Sequence, residues 1–104
     1  MKINFKNVGP NKMYIDTNNK EYIVVCDILA NVYKVTRENI VDVKFIPNNI
    51  PVTILGLPTS HFKSSLNISF KEKEVVKAAM YTDVDKEFVE SSYKEVLKWI
   101  DKEI

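Results

Sequence analysis

The sequence predicts a small α+β domain, with an antiparallel sheet of about four to five short strands followed by two C-terminal helices packed on one face. Three observations carry this. The chain has 104 residues, 45% hydrophobic and 28% charged, which suits one globular domain with a single core. Up to residue 55 the apolar residues are β-branched or aromatic and tend to alternate with polar ones, the period of a half-buried strand. From residue 69 onward they recur at helical spacing. The expected organisation is a single domain over 1–104, mainly β over 1–55, a loop over 56–68 and helical over 69–104.

Ile3 and Phe5 alternate with polar neighbours before the turn sequence Val8-Gly9-Pro10-Asn11. Met13-Tyr14-Ile15 and Tyr22-Ile23-Val24-Val25 flank Asp16-Thr17-Asn18-Asn19-Lys20, whose Asx residues suit a turn that visits positive φ. These two runs predict a hairpin. The segment from Asp27 to Val35 fits a short helix capped by Asp27 or a strand, and Thr36-Arg37-Glu38-Asn39 is turn-like. Val41, Val43 and Phe45, separated by Asp42 and Lys44, form a period-two strand with one wet face.

Pro47, Pro51 and Pro58 punctuate the next stretch. Val52-Thr53-Ile54-Leu55 reads as a strand, and its prolines predict an edge position, where a missing N–H is tolerated. Thr59 to Asn67 shows no period and reads as a loop. A connection of that length is more often functional than inert, so it is the first place to look for a site.

Ser69-Phe70-Lys71-Glu72 matches a capping box ahead of a helix carrying Val75, Val76, Ala79 and Met80. Asp83 and Asp85 then favour a second helix N-terminus by charge–dipole attraction. That helix aligns Phe88, Val89, Tyr93, Val96, Leu97, Ile100 and Ile104 on one broad face, with Glu90–Lys94 at a favourable i,i+4 spacing. Strands followed by helix also resemble the element order of a small curved barrel capped by a helix, as in pleckstrin-homology-like modules. That likeness concerns the fold and implies no function.

Composition removes much of the chemistry that sequence can reveal. With two glycines, one cysteine, one histidine and one arginine, the chain has no glycine cluster for a phosphate loop and no Cys/His set for a metal. No cofactor or metal is expected. Cys26 cannot form an internal disulfide, and the N-terminal residues hold no apolar run of the signal-peptide kind. No window approaches the ~18 consecutive apolar residues of a membrane span. A cytoplasmic protein with no membrane role is therefore expected. Fourteen of the fifteen basic residues are lysine, a bias of AT-rich coding sequences that fits a phage or other mobile element.

Each candidate site has a plainer alternative. Cys26 and His61 are a conceivable nucleophile and base, but Cys26 ends an apolar run and reads as a small buried hydrophobe. His61, Phe62 and Lys63 sit among hydroxyl residues that could hold a polar ligand or simply make local turns. Asp83, Asp85 and Glu87 lack the glycine and closing glutamate of a calcium loop and are explained by the helix dipole. Lysines alternate with Phe5, Tyr14, Tyr22, Tyr33 and Phe45, as on sheets that stack single-stranded nucleic acid, although the scarcity of arginine weighs against it. Trp99 lies at the flank of the last helical stripe, near Phe88 and above Ile104, and is the residue type most enriched at binding hot spots.

The resulting expectation is a non-enzymatic binding or adaptor protein, acting through a protein partner or as a homodimer. The expected contact residues are Trp99, Ile104, Phe88, His61, Phe62 and Lys63. A nucleic-acid-binding module using the lysine/aromatic face is the alternative, and a small-ligand binder using the 59–65 segment is a weaker one.

Overall fold

A computed structural model describes residues 2–5, 13–26, 29 and 31–101. It contains two antiparallel sheets and one C-terminal helix. The first sheet runs β1 (Lys2–Asn4), β2 (Tyr14–Asp16), β3 (Tyr22–Cys26) and β4 (Val32–Thr36), in the order β1-β2-β3-β4. The second holds β5 (Ile40–Ile54), β6 (Leu57–Glu72) and β7 (Val75–Asp83), in the order β5-β6-β7, and α1 (Lys86–Asp101) follows.

The first sheet follows the alternation of its residues. The expected hairpin forms, with Ile15 opposite Val25 and Asp16 opposite Val24. Its loop is closed by the Asp16 carboxylate accepting from Asn18 N and by Asn19 Oδ1 accepting from Glu21 N. The ambiguous segment resolves as strand over Val32–Thr36, and 37–39 form the expected turn. The Val8–Asn11 turn and the Asp27 cap lie outside the described residues.

The last two-thirds differ from expectation. Beyond Gly56, which is part of a turn, the region to 68 is not a loop but the first part of β6, and 69–83 is not a helix but the end of β6, a turn at 73–74 and all of β7. Ser69 caps nothing: it pairs across the ladder with Ala78, and Glu72 pairs with Val75. The spacing of Val75, Val76, Ala79 and Met80 fits either a helical stripe or a strand with both faces in use. The strand wins because Ala79 and Tyr81 face the core while Val76 and Met80 face out. There are thus two sheets and one helix, not one sheet and two helices. One helix following the strands is the order of the helix-capped alternative.

The core lies between the sheets and α1. Ile3, Phe5, Ile15, Ile23, Val25 and Val35 come from the first sheet, and Leu66, Ile68, Phe70, Ala79 and Tyr81 from the second. Val89, Val96 and Trp99 come from the helix. Aromatic pairs tie the layers together, with Phe5 4.9 Å from Tyr81 and 5.2 Å from Phe88, and Phe45 6.0 Å from Tyr93. The helix start is the one expected, capped by Asp85: its Oδ1 accepts from Phe88 N at 3.0 Å and its carbonyl from Val89 N at 3.1 Å.

Candidate functional site

β7 reaches only as far as the pair Ser64–Asp83, whereas β5 and β6 run on to the pair Ile54–Leu57. Beyond Ser64 the two strands form a ribbon with neither β7 nor the helix core behind them. No residue from 46 to 63 belongs to the core. The strand pitch gives the ribbon over 50–54 a length of about 17 Å. The molecule is correspondingly long, 46 Å against 25 and 22 Å.

Two irregularities shape this arm. Between the pairs Ile46–Ser65 and Ile50–Lys63, β5 carries Pro47, Asn48 and Asn49 against Ser64 alone on β6. Asn48 adopts a φ of 47°, and its N–H donates to the buried Ser64 Oγ at 3.0 Å, which fixes the root of the arm to the body. Nearer the tip the bulge is reversed: Thr59, Ser60 and His61 face Val52 alone. Thr59 Oγ1 donates to Val52 O at 2.7 Å and accepts from His61 N at 3.2 Å. The expectation that prolines would mark an edge is met, since β5 is an edge strand.

The tip is a two-residue turn, Leu55-Gly56, with φ of 52° and 78°. Both residues at positive φ is the type I′ requirement, which normally selects Asn-Gly or Asp-Gly. Nothing lies within 4 Å of a Cβ built on Gly56, so backbone conformation alone explains that glycine. Leu55 is harder to account for. It takes up a left-handed conformation that bulky side chains disfavour, and it is 97% exposed. Its neighbours Ile54 and Leu57 are 64% and 70% exposed, and Phe62 lower on the arm is 45% exposed. The β6–β7 turn is an internal comparison: Lys73-Glu74 has φ of 49° and 68° but presents two charged residues. Turn geometry therefore does not require leucine.

The arm is also free of carboxylates. No carboxylate occurs between Asp42 and Glu72, although the whole sequence holds fourteen. That gap was visible in the sequence and, joined to Ile54-Leu55-Gly56-Leu57, could have drawn attention to the tip.

Of the expected contact residues, the arm brings together His61, Phe62 and Lys63, all on β6 near Pro51 and Ile50 of β5. Trp99 is elsewhere. It is 4% exposed and held on three sides: its indole N–H donates to Asn19 O at 2.8 Å, Arg37 stacks 4.2 Å from its ring, and its carbonyl accepts from Arg37 Nε at 2.9 Å and Nη2 at 2.6 Å. Arg37 Nη1 also donates to Lys20 O. Trp99 therefore joins the β2–β3 turn and the β4–β5 connection to the end of the helix. Phe88 is half-buried against Phe5, and Ile104 lies outside the described residues.

Cys26 is buried in β3 with its N–H donating to Tyr81 Oη at 3.1 Å, whereas His61 is exposed on the arm. Asp83 is buried and accepts from Asp85 N at 3.0 Å, so both aspartates serve the helix entry. The lysine/aromatic pattern produces cation–π pairs, Lys2 over Tyr14 at 4.3 Å and Lys34 over Tyr22 and Lys77 over Tyr33 at 5.0 Å. Phe5 is in the core and Phe45 packs against it. These rings are covered by their own lysines or neighbours instead of forming an open stacking platform. Among the described residues no helix is long and apolar enough to cross a membrane. No family model, curated protein or solved structure matches the chain.

Proposed function

We propose that this chain acts by binding a protein, and that the β5–β6 arm is the element that binds. One observation carries the reading: Ile54, Leu55 and Leu57 stand exposed together at the end of a ribbon that holds no carboxylate. Leu55 does so in a conformation that favours other residues. A soluble domain does not gain stability from such a tip, so its use must lie in a surface that covers it. Covering three largely exposed aliphatic side chains contributes roughly 3–7 kcal/mol. A micromolar complex needs about 8 kcal/mol net of association costs, so the tip alone falls short. Phe62, Pro51 and Pro58, which flank it, have to share the contact.

A lipid surface suits this arm less well. An open two-stranded ribbon has unpaired backbone groups along its edges, which hydrocarbon cannot satisfy. The arm offers only Lys63 and His61 to anionic headgroups.

A photo-crosslinking residue at position 57, compared with one at position 73, tests the proposal in the native host. The expected outcome is a discrete protein adduct at 57, lost when Leu55→Asn is added, and none at 73. Equal labelling at both positions, or none at 57, would remove the reading.

A further inference from the structure

We infer that β7 is a strand acceptor, whose free edge takes an extended segment of another protein, bearing a carboxylate, as a further strand of the second sheet. This goes beyond the arm and stands on separate residues.

The β6–β7 turn decides which main-chain groups β7 leaves open. Lys73 and Glu74, both at positive φ, make a two-residue turn of the I′ kind, whose closing pair Glu72–Val75 exchanges both its hydrogen bonds. The register then runs without a bulge to Ser64–Asp83. Bonded pairs alternate with unbonded ones, so Lys77, Ala79 and Tyr81 bond to Phe70, Ile68 and Leu66 of β6. Val76, Ala78, Met80 and Thr82 turn their N–H and C=O groups the other way. A separate bond supports this parity: Lys71, opposite Val76, donates its N–H to Asn39 O at 2.8 Å, on the side away from β7. β7 ends its sheet, and among the described residues no hydrogen bond reaches the outward groups.

The other sheet edges are guarded. β5 carries Pro47, Pro51 and the irregularities of the arm, and β1 is only three residues long. On β4, Lys34 is exposed and the Thr36 N–H is held by Asn39 Oδ1 at 2.6 Å. These are devices that obstruct addition of a further strand. β7 has none of them over nine residues. Val76, Ala78 and Met80 stand exposed along it, an apolar strip beside a row of open donors and acceptors. An edge in that state is a template for an extended chain.

The same residues define the occupant. It is a main chain in β conformation, because the edge offers half of a ladder. It is apolar at alternate positions, where its side chains lie beside Val76, Ala78 and Met80. On the opposite face stands Lys77, half-buried, 5.0 Å over the Tyr33 ring and 3.6 Å from Glu72 on the β6 side. No carboxylate occurs between Val75 and Thr82, so an acidic residue set opposite Lys77 on the open side is attracted and a basic one repelled. A second copy of β7 is the poorer occupant, since over that span it brings a lysine and no carboxylate.

Amide hydrogen exchange on the full chain, read by NMR, tests this with an end-blocked peptide of alternating threonine and valine that carries a central glutamate. In the protein alone, Val76, Ala78, Met80 and Thr82 should exchange fast and Lys77, Ala79 and Tyr81 slowly. The peptide should slow the first set roughly tenfold or more and leave the second unchanged. The same peptide N-methylated throughout should have no effect, and one with lysine in place of the glutamate should act only at higher concentration. Ala78→Pro removes an outward N–H to which no described residue bonds, so this variant should fold and fail to respond. If it does not fold, the N-methylated peptide still decides. Slow exchange at Val76, Ala78 and Met80 without peptide would overturn the inference, because the chain itself already covers the edge, or a second copy does where the slowing grows with protein concentration. Equal effects of the plain and N-methylated peptides, or no effect at millimolar peptide, would overturn it too. The crosslink at position 57 is independent of every one of these outcomes.

Discussion

Asp85 performs at one residue what the sequence suggested at two places. Ser69-Phe70-Lys71-Glu72 has the residue types of a capping box, but the segment is the end of the central strand, paired with β5 and β7, and Lys71 N–H donates to Asn39 O. Asp85 has the N–H groups of Phe88 and Val89 within reach, and Asp83 holds the Asp85 N–H in turn. Asp85→Ala should therefore lower stability by about 1 kcal/mol, whereas Ser69→Ala removes no cap. Denaturant midpoints of both variants check this: an unchanged midpoint for Asp85→Ala would mean the helix start is held by other groups. Trp99 illustrates a second ambiguity at this scale. A tryptophan at the flank of an amphipathic stripe suits a hot spot or a core rim, and the deciding factor was a single arginine 62 residues away in sequence. Arg37 meets the carbonyl through a planar fork and the ring through its face, a combination lysine does not reproduce.

At the scale of elements, what the sequence made legible is what local periodicity controls. The hairpin of β2 and β3 and the helix from Lys86 were readable because alternation, Asx turn residues and an aspartate cap all agree there. The β6–β7 hairpin was not. Its turn is Lys73-Glu74, with both residues at positive φ and neither a glycine nor an asparagine to announce it. Next to it, β7 exposes Val75 and Val76 on its two opposite sides and Met80 on the outer one, which erases the alternation that identifies a half-buried strand. The arm was hidden by its prolines and by the two bulges, which break period two in both strands. A turn made with the wrong residues should be improvable. Lys73→Asn with Glu74→Gly supplies the type I′ pair and should raise stability by roughly 0.5–1 kcal/mol, read as a higher thermal midpoint. A lower midpoint would show that Lys73 or Glu74 makes a contact worth more than the backbone strain.

The whole molecule divides into a body that is stable by burial and an arm that is not. Every core residue of the second sheet lies outside 46–63, and the arm's root is held by Asn48 on Ser64. Two strands and a helix support the body half of β6, whereas only β5 supports its outer half, and an isolated two-stranded ribbon is marginal in water. The two halves of one strand should therefore exchange amide hydrogens at very different rates in a monomer, with the change near Ser64. Removing the arm provides the more direct test of this division. Replacing residues 47–64 with Asn-Gly joins Ile46 to Ser65 across a two-residue turn and leaves every core side chain in place. The shortened chain should fold cooperatively, with a stability within about 1–2 kcal/mol of the full one, because the change removes exposed surface and one buried serine. It should also lose the protein binding proposed for the arm. Loss of the folded state would show that the arm contributes to the core after all. A folded, arm-less chain that still binds that protein would place the binding surface on the body.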